Sequence, residues 1–167
     1  MEYCLSLGSN LGDSLRTLRR AAARLAATPG VRITAHSGVY QSDPVDVPAR
    51  FANRQFLNAI ILLETRLSPP ELLARISAIE IGMGRRRGRL RNVPRTIDID
   101  IVYAGRRKIA TEVLTIPHPR WQQRRFVVQP LARLRPDLVL PGSDLPVRAI
   151  LDRLPSIPGV TLYTVEW

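Results

Sequence analysis

Residues 94–103 read Pro-Arg-Thr-Ile-Asp-Ile-Asp-Ile-Val-Tyr, and the fold turns on how that run is laid out. In a β-strand successive side chains point to opposite faces. Ile97, Ile99, Ile101 and Tyr103 then share one face, and Asp98, Asp100 and Val102 share the other. The isoleucine face requires a core beneath it. The two carboxylates stand two residues apart, with Cβ atoms about 7 Å from each other. Such a pair reads in two ways. It is the polar outer face of a half-exposed strand, or it is two carboxylates converging on hydrated Mg²⁺ between substrate phosphates. Mg²⁺ suits the second reading because it takes one or two carboxylates and keeps its other positions for water and phosphate oxygens.

Upstream of this strand, Gly84 to Arg91 has no periodic apolar pattern and reads as a loop. Before it, Ser68-Pro69-Pro70-Glu71 is a helix start, with serine at N-cap, proline at N1 and glutamate at N3. Leu72, Leu73, Ile76, Ile79 and Glu80 continue that helix to about Gly82. Residues 55–65 alternate with apolar side chains on both faces, which predicts a central strand. Residues 31–42 read as one strand. Leu15, Leu18, Ala22 and Leu25 mark a helix capped by Gly12-Asp13-Ser14 and ended by Pro29-Gly30. Residues 3–7 are a first short strand. The order β-α-β-β-α-β predicts an α+β fold, the ferredoxin-like sandwich: an antiparallel sheet with two helices on one face. Beyond it come a short strand near 107–110, a short helix ending at Arg125, the apolar run 126–131, a late helix over 147–154 and a last strand over 160–165. These are C-terminal additions to a single domain spanning 1–167.

The 167 residues carry a formal charge of +11, from 25 Lys+Arg against 14 Asp+Glu. Lys108 is the only lysine. That balance implies an anionic partner, either nucleic acid or nucleotide phosphates. Apolar content of 45% and charged content of 23% fit a globular chain. Cys4 is alone, so no internal disulfide forms and a reducing compartment fits. No stretch has the length and apolarity of a membrane span, and the N-terminus lacks a signal pattern. A cytoplasmic protein with no membrane partner is the expectation.

The arginines are clustered. Six lie between 85 and 95 with no acidic residue among them, and Arg120, Arg124 and Arg125 gather beside His118. An arginine run is often a solvated loop. Next to paired carboxylates it also suits polyphosphate, with the metal bridging some oxygens and guanidinium forks taking the rest. His118, stiffened by Pro117 and Pro119, is a loop histidine, a donor to phosphate or a general acid. Phe56 and Asn58 share a strand face. Phe56 and Phe126 either pack in the core or stack a planar heteroaromatic ring between them. Neither glycine-rich phosphate motif occurs.

Gly8-Ser9-Asn10-Leu11, Phe56-Leu57-Asn58-Ala59, Glu80, Arg85, Pro94-Arg95-Thr96-Ile97-Asp98-Ile99-Asp100, Pro117-His118, Arg124 and Phe126 occur here in a characteristic order and spacing. Over about residues 1–141 the chain resembles the 6-hydroxymethyl-7,8-dihydropterin pyrophosphokinases of folate synthesis. The resemblance implies Mg²⁺-dependent transfer of the β,γ-pyrophosphoryl of ATP to the pterin hydroxymethyl, on a ferredoxin-like fold with additions. It implies that Asp98 and Asp100 ligate two Mg²⁺, with Asp98 also near the hydroxymethyl. Arg85 and Arg95 would clamp phosphates, and His118 and Arg124 would hold the nucleotide. Leu73, Ile101 and Thr115 would line the adenine and ribose side. Phe56 and Phe126 would sandwich the pterin, with Ser42, Pro44, Val45 and Asn58 completing its pocket. The chain departs from some members at Asn92, Val93, Val113 and Pro119, which bears on the closing loop and the adenine side. Residues 84–93 are expected to close over ATP. ATP and the pterin are then the partners of a monomer that binds no nucleic acid. The rival readings are a nucleic-acid-binding module and a two-metal phosphohydrolase.

Overall fold

The computed structural model describes residues 1–44, 54–85, 96–157 and 159–167. The chain runs β1 (Glu2–Ser9), α1 (Ser14–Ala26), β2 (Val31–His36), β3 (Val39–Ser42), β4 (Phe56–Thr65), α2 (Pro69–Gly82), β5 (Asp98–Ala104), β6 (Ile109–Ala110), β7 (Thr115–Ile116), a 3₁₀ turn at Trp121–Gln123, α3 (Arg125–Leu134), α4 (Val147–Arg153) and β8 (Val160–Thr164). The main sheet has the order β5-β1-β4-β3-β8, with β2 pairing the far half of β4, and every pairing is antiparallel. The elements from β1 to β5, with α1 and α2, therefore form the ferredoxin-like sandwich, and β8 extends its sheet at the β3 edge.

Two starts are made by side chains. Asp13 caps α1 by accepting from the Arg16 backbone N–H at 2.9 Å. At α2 the Glu71 carboxylate reaches back to the backbone N–H and the hydroxyl of Ser68, at 2.7 and 2.6 Å. The apolar faces of α1 and α2 cover one side of the sheet through Leu18, Leu25, Leu72 and Ile76, packed on Leu5, Leu7, Ile61, Ile99 and Ile101. The other side is covered as well. Val127, Val128 and Leu131 of α3 and Val147 and Ile150 of α4 pack on Cys4, Ile60, Leu62 and Val102. The apolar run 126–131 is thus a helix that buries the second face, and β4 is apolar on both faces because it lies between two cores.

The structure corrects two local readings. The strand expected over 31–42 is broken at Ser37-Gly38 into β2 and β3. Ser37 Oγ accepts the Ile60 N–H at 2.9 Å, so a side chain takes the place of a ladder carbonyl. The second correction is Tyr103, which leaves the isoleucine face. The pairing of β1 with β5 shifts between Cys4 and Leu5, where Cys4 opposes Tyr103 and Leu5 opposes Ile101. That bulge inserts Val102 and interrupts the alternation. Tyr103 then packs with α3 and α4, and its hydroxyl donates to Glu2 at 2.7 Å. The other Glu2 oxygen takes Arg135 at 2.9 Å.

Candidate active site

Asp98 and Asp100 precede the bulge, so they keep the alternation and project from one face of β5. Both are partly open, with side chains 37% and 38% exposed. Cross-strand neighbours share a face, and the register places Asp98 opposite Gly8, and Gly8 opposite Asn58. Asp98 and Asn58 therefore stand in one row, about 10 Å apart at two strand spacings, with no side chain between them. A Cβ on Gly8 would come within 3.3 Å of the Asn58 amide oxygen. Asn58 is buried and donates to Ser42 Oγ at 2.8 Å, and Ser42 itself opposes Phe56. Pro44 follows β3 and is half-buried.

Each aspartate meets a cation from a different element. Arg85, just beyond the end of α2, brings Nη1 to 2.8 Å from Asp98 Oδ1. Arg124, immediately before α3, brings Nη1 to 3.1 Å from Asp100 Oδ2. The Arg124 guanidinium also lies 5.7 Å from the centre of the Phe126 ring. Thus one side chain links the paired carboxylates to the aromatic group.

His118 follows a cis Ile116–Pro117 peptide, and its backbone N–H is held by the Val102 carbonyl at 2.9 Å. Its Nδ1 accepts from the Arg120 N–H at 3.1 Å. The proton of the neutral ring then belongs on Nε2, which lies 3.8 Å from Asp100 Oδ2. Burial pushes the imidazole below its usual range; Asp100 opposes this, and Arg124 and Arg120 reinforce it. Between His118 and Arg124, Trp121 is 4% exposed and anchors the segment in the second core. Nothing in its polar sequence surroundings singles it out.

Because β5 is an edge strand, its open side borders two adjoining clefts that share Leu73, Ile99 and Asp100. One, about 270 Å³, is also lined by Ser77, Glu80, Arg85 and Asp98. The other, about 260 Å³, is lined by Ile101, Val113, Thr115, His118 and Pro119. Leu73, Ile101 and Thr115 thus come together. Val45, Arg95, Asn92, Val93 and nearly all of the 84–93 loop lie outside the described residues. Glu80, quoted above without a role, is a buried carboxylate against Arg85 and the Ile99 N–H. The signal for it was an acidic residue at a core-facing helical position.

Against known proteins, residues 4–136 match the family described as 7,8-dihydro-6-hydroxymethylpterin-pyrophosphokinase. The chain belongs to this family. It is 41% identical over 151 residues to the 2-amino-4-hydroxy-6-hydroxymethyldihydropteridine pyrophosphokinase of Methylorubrum extorquens, covering 90% of this chain and 91% of that one. It is 41% identical over 163 residues to the folic acid synthesis protein fol1 of Schizosaccharomyces pombe, covering 96% of this chain but 21% of that protein. A crystal structure of Plasmodium falciparum HPPK-DHPS with pteroate superposes with a TM-score of 0.72 at 14% identity, over 91% of this chain and 42% of that one. That likeness carries the fold. The chain thus spans about a fifth of the fission yeast relative, less than half of the Plasmodium chain and most of the Methylorubrum enzyme. Among the described residues no helix is long and apolar enough to cross a membrane.

Proposed function

We propose that this chain transfers the β,γ-pyrophosphoryl group of ATP to 6-hydroxymethyl-7,8-dihydropterin, releasing AMP. Family membership supports the reaction class. The observation that carries it to these residues is the pair Asp98 and Asp100 on one strand face, with Arg85 on one and Arg124 and His118 on the other. The hydroxymethyl oxygen attacks the β-phosphorus and gives up its proton, and the bond from that phosphorus to the oxygen bridging it to the α-phosphate breaks. Such transfer depends on positioning and charge stabilisation, which an arginine and carboxylate site supplies without a protein nucleophile.

The donor set fits Mg²⁺. It offers two partly exposed carboxylates, and among the described residues no group of three or more His, Cys, Asp or Glu forms a closed metal cage. Asp98 and Asp100 would hold the metal, two ions in our reading, which when bound neutralises phosphate charge. Arg85 leaves Asp98 for a phosphate oxygen, and the sequence gives Arg95 the same role. Arg124 and the Nε2–H of His118 donate to the nucleotide; a neutral imidazole suits a donor better than a general acid. Leu73, Ile101 and Thr115 border the adenine and ribose. Phe56 and Phe126 take the pterin ring, and Asn58, Ser42, Pro44 and Val45 complete its pocket. The Asp98 to Asn58 row, with Gly8 as its floor, supports a reading in which metal and pterin share one side of the sheet. We read 1–167 as one domain acting as a cytoplasmic monomer.

Asp98→Ala and Asp100→Ala are each expected to lower transfer about 10³-fold or more, the scale of losing metal-based charge stabilisation. Near-normal turnover in either variant would remove the metal from this pair.

A further inference from the structure

Glu80 is 6% exposed and stands at a position of α2 whose neighbours 72, 76 and 79 all face the core. Its Oε1 accepts the Ile99 N–H at 2.8 Å, the peptide nitrogen that lies between the two aspartate side chains. Among the described residues β5 is an edge strand, so an outward N–H there has no ladder partner among them and takes another acceptor. The same Oε1 accepts from the Arg85 guanidinium, and the Arg85 backbone N–H returns to the Glu80 carbonyl at 3.0 Å. One carboxylate thus joins the end of α2, the guanidinium and the strand that carries both aspartates.

A glutamine would satisfy the Ile99 N–H and would spare the cost of burying a charge. Burial does push the Glu80 carboxyl above its usual range; the Ile99 N–H and Arg85 act against that. What only the carboxylate adds is the negative charge that pairs with the guanidinium. We propose that Glu80 is a positioning residue: it aims Arg85 at Asp98 and fixes the peptide between Asp98 and Asp100. Its consequence for turnover rests on the pyrophosphoryl-transfer reading, and its geometry does not.

The test is Glu80→Gln, alone and combined with Arg85→Ala. The amide keeps an acceptor for Ile99 but removes the charge that pairs with the guanidinium. We expect kcat to fall about 10-fold or more, since small misplacement of a clamp is costly, while KM for ATP stays within about 3-fold. The double variant should be no slower than Arg85→Ala alone, because both changes remove one interaction. In the ligand-free protein, NMR should show the Ile99 amide still protected and the Arg85 side-chain N–H signals mobilised. Wild-type kcat in Glu80→Gln, losses that multiply in the double variant, or unchanged Arg85 signals would each overturn the inference. Should Glu80→Gln not fold, Glu80→Asp, which withdraws the charge by one methylene, takes its place with the same expectation for kcat and for the Arg85 signals, Ile99 no longer serving as a control. If the wild type forms no AMP from ATP and pterin, the proposed function fails by itself, and the NMR arm still decides the role of Glu80.

Discussion

Asp98 and Asp100 are held by different parts of the molecule, Asp98 by the end of α2 and Asp100 by the segment entering α3. The aspartates were legible in the sequence because strict alternation precedes the bulge; Tyr103 was misread because it follows the bulge, and a bulge depends on a partner strand. Glu80 had no readable role for a similar reason: its partners, Ile99 and Arg85, meet it only in the folded chain. Phe56 and Asn58 share the face opposite α1 and α2, as the alternation of β4 requires, and Phe126 of α3 packs against the core on that face. If they form the pterin slot, Phe126→Ala should weaken pterin binding by about 1–3 kcal/mol, the scale of stacking one ring on an aromatic side chain. Binding of a non-hydrolysable ATP analogue should change little. Calorimetric titration of both ligands checks this, and equal loss of both would mean disruption of the core instead.

At the scale of elements, helix α2 was the most legible because its start is written in local chemistry, Ser68 through Glu71. The carboxyl of Glu71 is held below its usual range, chiefly by hydrogen bonds from the Ser68 hydroxyl and N–H. A depressed carboxyl contributes stability above its unfolded-state value and loses it as pH falls through the folded-state value. Glu71→Gln should therefore destabilise at pH 7 and converge with the wild type once the pH has fallen through the folded-state value, where both side chains are neutral. Urea melts across that range measure it, and a constant difference at all pH values would contradict it. The break between β2 and β3 was not legible, because Gly38 answers to a distant strand. A Cβ there would come within 2.8 Å of Leu162 Cδ1 and 2.9 Å of the Thr164 carbonyl. Gly38→Ala should lower stability by about 1–3 kcal/mol by pushing β8 off the edge of the sheet, seen as a lower urea midpoint with the slope retained.

The whole molecule is the ferredoxin-like sandwich, with its second sheet face covered by α3 and α4 and its sheet extended by β8. The order of elements made the sandwich legible. The covering of the second face was not, since an apolar run of six residues fits either a strand or a helix. That second layer carries Arg124 and Phe126, so the additions complete the candidate site that the sandwich begins. A net charge of +11 suits a polyphosphate partner. The central claim is that two phosphoryl groups move together, from ATP to pterin. Phosphorus NMR of ATP, Mg²⁺ and 6-hydroxymethyl-7,8-dihydropterin with the protein tests it most directly. The account predicts AMP and the pterin diphosphate in equal amounts, with no AMP when the pterin is omitted. ADP with a pterin monophosphate, or AMP with free pyrophosphate at the same rate without pterin, would contradict it.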